Sequence, residues 1–262
     1  MPRRDPDRVW ELVRRYQSLA DRFPQFRLRE IGAVERFGLR FPILAVAVGE
    51  GPRSAIILAG THGDEIAGPL ALLEFWETAA SHAFIENMRL LFLPLINPFG
   101  FARGIRGNGV VDLNRHFERP TAQPENTIVL DFLLQHRAEL LVSMHEDVTS
   151  SCFYMYESGV RERALFARIV ADDVALLDAI ESQGYAVCGS NHVDGNYNRS
   201  GLVVSNPGSV RASRSGALEP TLLRHGVIRR VVGFETPGRQ PLTDRIRQQQ
   251  LALQHVLRSF LV

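Results

Sequence analysis

His62 and Glu65 stand three positions apart in Gly60-Thr-His-Gly-Asp-Glu65, where an apolar run, Ala55 to Ala59, gives way to a helical period. With the imidazole at a strand end and the carboxylate in the first helical turn, this spacing turns a nitrogen and an oxygen toward one ion. Zinc takes such ligands, and a catalytic zinc site uses three of them plus a water. His145, 80 residues past Glu65, is the third candidate. Taken alone, His-x-x-Glu reads equally as an acid at a helix N-terminus beside a satisfied loop histidine. The His-Glu-x-x-His pattern of the helical zinc proteases is absent, which excludes that mechanism class.

Short apolar runs alternate with helical periods, the pattern of an α/β protein. Asp5-Pro6 reads as the start of a helix carrying Val9, Leu12, Val13 and Tyr16, and a β-like stretch follows from Phe26 to Phe37. Ile43 to Val48, Ala55 to Ala59, Leu90 to Ile96, Leu140 to Met144, Phe153 to Tyr156 and Val227 to Phe234 read as strands. Ile66 to about Ala80, Thr127 to Leu134, Glu162 to Ile180 and Leu242 to Phe260 read as helices. Phe101 to Val111 and Gly189 to Ser215 read as loops, the second long enough to be functional or mobile. The expected fold is one α/β domain over residues 1–262, a mixed, mostly parallel twisted sheet with helices on both faces. His62, Asn97, His145 and Glu235 each follow an expected strand. If those strands are parallel, four polar groups meet in the crevice at their carboxyl ends, where open α/β sheets bind ligands.

The chain has 262 residues, 45% of them apolar, with 30 basic residues against 29 acidic. That is enough to bury a core and too balanced for a nucleic-acid footprint. Every basic residue other than histidine is Arg, a guanidinium suited to bidentate carboxylate recognition. The start is too charged for a signal peptide, and no run reaches the ~18 apolar residues of a membrane span. A cytoplasmic protein with no membrane partner is expected. Cys152 and Cys188 form no Cys-x-x-Cys pair and read as two free thiols, a single disulfide being the alternative.

Five segments together resemble the zinc metallocarboxypeptidases of the carboxypeptidase A type. That family includes bacterial murein-peptide amidases and, more distantly, succinylglutamate desuccinylase and aspartoacylase. The segments are Gly60-Thr-His-Gly-Asp-Glu65, Asn97-Pro-Phe-Gly100, Val111-Asp-Leu-Asn-Arg115, Ser143-Met-His145 and Gly233-Phe-Glu-Thr-Pro237, in the family's order. The resemblance implies one zinc ion per chain on His62, Glu65 and His145, with Glu235 as the general base. It implies that Asn114 and Arg115 grip a substrate carboxylate, that Arg106 stabilises the developing oxyanion, and that Asp112 orients a zinc-bound histidine. Arg103 competes for the oxyanion role.

The chain departs from the family pattern at Phe99, where Asp is frequent, and at Asp64, where the digestive enzymes have Arg. No tyrosine is a clear counterpart of their substrate-covering residue; Tyr197 is one candidate, while Tyr154 and Tyr156 read as core or strand residues. Glu146-Asp147 reads as a solvated or helix-capping pair, or as a group that recognises a cation. His82, His136, His225 and His255 read as surface residues, His116 as a possible cleft residue, and His192 with Asp194 as a polar loop. The expected activity is hydrolysis of an amide next to a carboxylate-bearing residue in short peptides. The alternatives are deacylation of N-acyl amino acids and a non-catalytic peptide-binding module. The partner is then a small peptide or acylated amino acid.

Overall fold

The computed structural model describes residues 6–78, 82–119, 123–159, 163–189, 197–199, 201–204 and 215–262. The chain runs α1 (Asp7–Arg22), β1 (Phe26–Arg36), β2 (Leu39–Val48), β3 (Arg53–Ala59), α2 (Ala67–Glu77), α3 (His82–Ile85), β4 (Met88–Leu93) and α4 (Pro98–Arg103). A 3-10 turn (Leu113–Arg115), α5 (Pro124–Leu133), β5 (Leu140–Asp147), β6 (Tyr154–Ser158), α6 (Arg163–Ser182), β7 (Tyr197–Arg199) and β8 (Leu202–Val204) follow. The chain closes with α7 (Leu218–Arg224), β9 (Arg230–Pro237) and α8 (Leu242–Leu261).

One sheet takes all nine strands, in the order β1-β2-β4-β3-β5-β9-β6-β8-β7. Its middle, β4-β3-β5-β9, is parallel throughout. Only β2, β6 and β8 run the other way. The expected mixed, mostly parallel sheet is therefore present. Because side chains alternate across a strand, each central strand feeds two cores. Ile57, Val142, Met144, Val232 and Phe234 pack with α2, α6, α8 and most of α1. Ile56, Leu58, Leu141 and Val231 pack with α4, α5 and α7. Helices cover both faces, as a sheet with a parallel centre requires.

Several boundaries differ from those expected. The strand from Leu90 stops at Leu93 because Pro94 offers no N–H to the ladder. Ile96 and Asn97 still bond backward, their N–H groups donating to the Ala59 and Gly60 carbonyls at 3.2 and 2.8 Å. β5 and β9 run on past Met144 and Phe234, so His145 and Glu235 lie within strands rather than after them. The expected loop from Gly189 to Ser215 contributes β7 and β8 to the sheet edge. Residues 192 and 194, the expected polar pair, lie outside the described residues. Among the described residues, no helix is long and apolar enough to cross a membrane.

Cys152 and Cys188 are joined in a disulfide, which corrects the expectation of free thiols. Local pairing explains it. The Phe153 N–H donates to the Ala186 carbonyl at 2.8 Å and the Cys188 N–H to the Phe153 carbonyl at 2.9 Å, bringing the two cysteine Cα atoms to 5.0 Å. Disulfides persist in oxidising compartments, so this one fits poorly with a cytoplasmic location.

Beside α6, Arg230 donates to Glu157 through Nε and Nη2 and to Asp173 through Nη2. One guanidinium thus serves two buried carboxylates. Burial pushes Glu157 up to about 7, and burial together with the Glu157 charge raises Asp173 well above its usual range. A carboxyl raised in the folded state stabilises fully below its unfolded pKa and loses that contribution as pH rises through the folded one. Stability should therefore fall as pH rises from about 4.5 through 7 and above, as these carboxyls ionise in the fold. Asp173→Asn should flatten this slope and raise the pH 8 melting temperature, as thermal melts at pH 5 and pH 8 would show.

Candidate metal centre

His62 leaves the end of β3, Glu65 enters α2 and His145 sits in β5. The two strands are parallel neighbours, with Ala59 opposite Met144. One donor atom from each of the three buried residues falls within 4.8 Å of the others. Glu65 lies between the rings: its Oε1 is 2.5 Å from His62 Nδ1 and its Oε2 is 2.8 Å from His145 Nδ1. Both rings thus turn Nδ1 inward. Their outer nitrogens meet carboxylates, with Asp112 Oδ1 3.2 Å from His62 Nε2 and Glu219 Oε1 3.3 Å from His145 Nε2. The Asp112 contact is an ion-pair distance off the line of a hydrogen bond, and His62 Nε2 has no hydrogen-bond partner among the described residues.

Electrostatics favour a cation here. Burial works against charge on every member, yet the partners overcome it. Glu65 is drawn down to about 2 by the two imidazoles, His62 is raised by Asp112 and Glu65, and His145 is raised well above its usual value by Glu65 and Glu219. Two imidazoles and a carboxylate with inward donors are a fitting zinc set, and outer carboxylates are the usual support of metal-bound histidines.

Glu235 lies directly opposite His145 in the β5–β9 register and opposite Tyr154 in β6. Residues paired across a sheet share a face, so the Glu235 carboxylate projects on the His145 side. Burial pushes it up to about 8; His145 opposes that rise and Glu65 adds to it.

Arg106 reaches the same cluster. Its Nη1 donates to Glu65 Oε1 at 3.2 Å and its Nε to Asp112 Oδ2 at 3.1 Å. Its backbone is clamped: the Arg106 carbonyl accepts from Gly63 N at 3.0 Å and Asn97 Nδ2 at 3.2 Å. Asn97 also caps α4, accepting from Gly100 N, so it braces the site and is not a ligand. Arg103 points elsewhere, into a groove with Arg36, Phe37 and Phe99.

Arg115 and Asn114 part company. Asn114 is buried and its Oδ1 accepts from Leu218 N at 3.0 Å, which anchors α7. Arg115 is exposed and, with His116, Glu118, Arg119 and Gly216, lines a cleft of about 470 Å³. Glu146 and Asp147 take the capping reading. Glu146 faces away from His145, accepts from the α2 amide of Ala67 at 2.6 Å and pairs with Arg245. Asp147 accepts from Thr149 N, Ser150 N and Tyr154 Oη. His136 and His255 bond to backbone carbonyls of helices. Glu219, a centrepiece of the geometry, has no signal in the sequence beyond an acid in the first turn of a short helix.

Set against known proteins, the fold is carboxypeptidase-like. Residues 51–173 match the succinylglutamate desuccinylase/aspartoacylase catalytic domain, a stretch that contains His62, Glu65, Asp112 and His145 and stops before Glu219 and Glu235. A candidate metallopeptidase of Shewanella amazonensis is 25% identical over 95% of this chain and 91% of its own, with a TM-score of 0.73. One from Shewanella baltica is also 25% identical, over 96% and 91%, at 0.74. A Pseudomonas aeruginosa metallo-carboxypeptidase, solved with (2-guanidinoethylmercapto)succinic acid, shares the fold at 17% identity over 95% and 69%, at 0.63. No curated protein matches the chain. The chain resembles the zinc carboxypeptidases in its motifs and shares their fold.

The strand-end turn at Gly63 is close-packed. A Cβ there would lie 2.0 Å from the Gly100 carbonyl carbon. Gly63→Ala should displace α4 and the Arg106 loop together and destabilise by roughly 1–3 kcal/mol. Denaturant unfolding of the metal-free protein measures this.

Proposed function

We propose that the chain is a zinc-dependent amide hydrolase acting next to a carboxylate-bearing residue in short peptides, with one zinc per chain. The observation that supports it best is the buried convergence of His62, Glu65 and His145 with Glu235 in register beside His145. A zinc ion held by the three ligands would supply Lewis-acid polarisation and favour water as a nucleophile at neutral pH.

The chain's own residues do the rest. Glu235 takes a proton from the attacking water as it forms the new C–O bond. It then delivers that proton to the leaving nitrogen as the C–N bond breaks, giving a carboxylic acid and an amine. Arg106, 42% exposed and fixed against Glu65 and Asp112, presents positive charge where the carbonyl oxygen becomes negative. Arg115 lies across the Asn114 turn, in the cleft, where its fork binds the substrate carboxylate. Asn114 holds α7 through its Oδ1, and its amide nitrogen joins Arg115 in gripping the substrate carboxylate.

A second reading is deacylation of N-acyl amino acids, supported by the matched succinylglutamate desuccinylase/aspartoacylase domain. The Gly233-Phe-Glu-Thr-Pro237 ending and the candidate metallopeptidases of Shewanella favour the peptidase. A binding-only module is disfavoured because the ligand set and the base are all retained.

Elemental analysis should find one zinc in the wild type and a deficit in His145→Ala. Glu235→Gln should keep zinc and fold while hydrolysis of blocked dipeptides and N-acyl amino acids falls roughly 10²–10⁴-fold. Turnover at the wild-type level in that variant would remove Glu235 from the role of base. The arginines separate by kinetic parameter. Arg115→Ala should mainly raise KM for substrates with a free carboxylate, and Arg106→Ala should mainly lower kcat, because its contact strengthens only as charge develops. Arg103→Ala should leave both near wild type; a collapse of kcat there would transfer the oxyanion role to Arg103.

A further inference from the structure

Glu219 is a buried carboxylate outside every motif in the sequence. Its Oε1 accepts from Ser143 Oγ at 2.6 Å and from His145 Nε2 at 3.3 Å. Ser143 and His145 are two residues apart on β5, so both project on the same face of the sheet, and one oxygen meets both. The carboxylate is held there by deliberate anchoring of the α7 start. The Leu218 N–H donates to Asn114 Oδ1 at 3.0 Å, and the Phe117 N–H donates to the Gly216 carbonyl at 2.8 Å. Gly216, at φ 77°, packs so tightly that a Cβ would sit 2.0 Å from the Arg115 carbonyl oxygen.

The chemistry follows from what an ionised carboxylate can do. It only accepts hydrogen bonds, so the nitrogen facing it must carry the proton. With Nε2 protonated in the neutral ring, the lone pair of His145 lies on Nδ1, which faces Glu65 at 2.8 Å. Ser143 has spent its proton on the same oxygen and does not compete for the ring. We propose that Glu219 is the positioning residue of His145, fixing the tautomer and ring orientation that offer Nδ1 to a metal ion, and that Asn114 serves this arrangement by anchoring α7. The inference rests on reading His62, Glu65 and His145 as a metal centre. It assigns Asn114 a task beside substrate binding: the Asp112–Arg115 turn supports both imidazoles, His62 through Asp112 directly and His145 through Asn114, α7 and Glu219.

The test reads metal affinity rather than turnover. Zinc dissociation constants are measured by competition with a chromogenic chelator for the wild type, Glu219→Ala, Glu219→Gln and Asn114→Ala. Glu219→Ala should bind zinc about 10–100-fold more weakly, the usual cost of losing an outer partner of a metal-bound histidine. Glu219→Gln, whose amide oxygen still accepts, should be weakened less and keep the metal-free fold. Asn114→Ala should fall in the same direction. In zinc-loaded protein with ¹⁵N-labelled histidine, the His145 Nε2–H should exchange slowly in the wild type and rapidly in Glu219→Ala, a change that loss of packing elsewhere does not produce. Unchanged zinc affinity in folded Glu219→Ala would overturn the inference while leaving the metal centre intact. Weakened zinc binding with an unchanged His145 Nε2–H would also overturn it, because Glu219 would then act through the fold and not on the ring. A wild type that binds no zinc would overturn the metal centre and this inference together.

Discussion

Glu65 is 2% exposed and lies with each carboxylate oxygen against a different imidazole. A buried carboxylate tolerates that position only while positive charge lies beside it, as protons on the rings or as a cation among the three groups. The rest of the structure arranges chain segments to meet this demand. β3 and β5 are parallel neighbours, so the end of one and the body of the other bring His62 and His145 to the same edge. Alternation along β5 then does two jobs with consecutive residues. His145 faces Glu65, while Glu146 faces the opposite side and receives the N-terminal amide of α2, the helix whose entrance carries Glu65. The α2 amide and the Arg245 pair offset part of the burial cost of that acid, and they fix the start of α2 relative to β5.

Around this pair of strands, the loop from Asn97 to Arg115 folds back as a second layer. Asn97 and Gly63 both bond the Arg106 carbonyl, which sets the guanidinium against Glu65 and Asp112. Gly63 has to be glycine because its Cα approaches the α4 backbone too closely for a side chain. Cationic and anionic groups alternate outward from the centre: Glu65, then imidazoles and Arg106, then Asp112 and Glu219. Glu65 and Glu219 each have an imidazole for a neighbour, and both are drawn down to about 2 despite burial.

Much of this was legible in the sequence, for identifiable reasons. The α/β alternation and the convergence of His62, Glu65, His145 and Glu235 on one sheet edge were readable because apolar runs are a strong signal and each of these residues stands at or near the end of one. Strand ends were misplaced where pairing decided the matter. β5 and β9 extend each other through His145, Glu146 and Asp147 opposite Glu235, Thr236 and Pro237, and no local pattern announces that. β7 and β8 are short pieces at the sheet edge, held by the pairing of β8 to β6 and of β7 to β8 rather than by composition. The disulfide depended on the backbone pairing of Phe153 with residues 186 and 188, a contact across α6 that cysteine spacing does not encode. Asn97 and Asn114 have side chains of metal-site or substrate-site type, yet each is used by backbone amides. Glu219 was invisible because its importance comes from a helix start fixed by residues about a hundred positions earlier.

The division of the site along the chain follows from the same pairing. The three proposed ligands, Asp112 and Arg106 lie within the contiguous stretch 51–173 that matches a known catalytic domain. Glu219, the partner of His145, and Glu235, the proposed base, come from α7 and β9, beyond it. What joins the halves is the β5–β9 ladder, eight residue pairs from Leu140 opposite Arg230 to Asp147 opposite Pro237. Side chains on a strand have a period of two, so a slip of one residue in this ladder would turn Glu235 to the α8 face and bring Phe234 or Thr236 beside His145. Such a slip would also bury the carboxylate on the face of Val142 and Met144 and turn Phe234 to the face of His145. The apolar alternation that buries Phe234 at 0% exposure is therefore what holds the Glu235 carboxylate beside the ligands. Core packing on one face of β9 sets the position of the reactive group on the other.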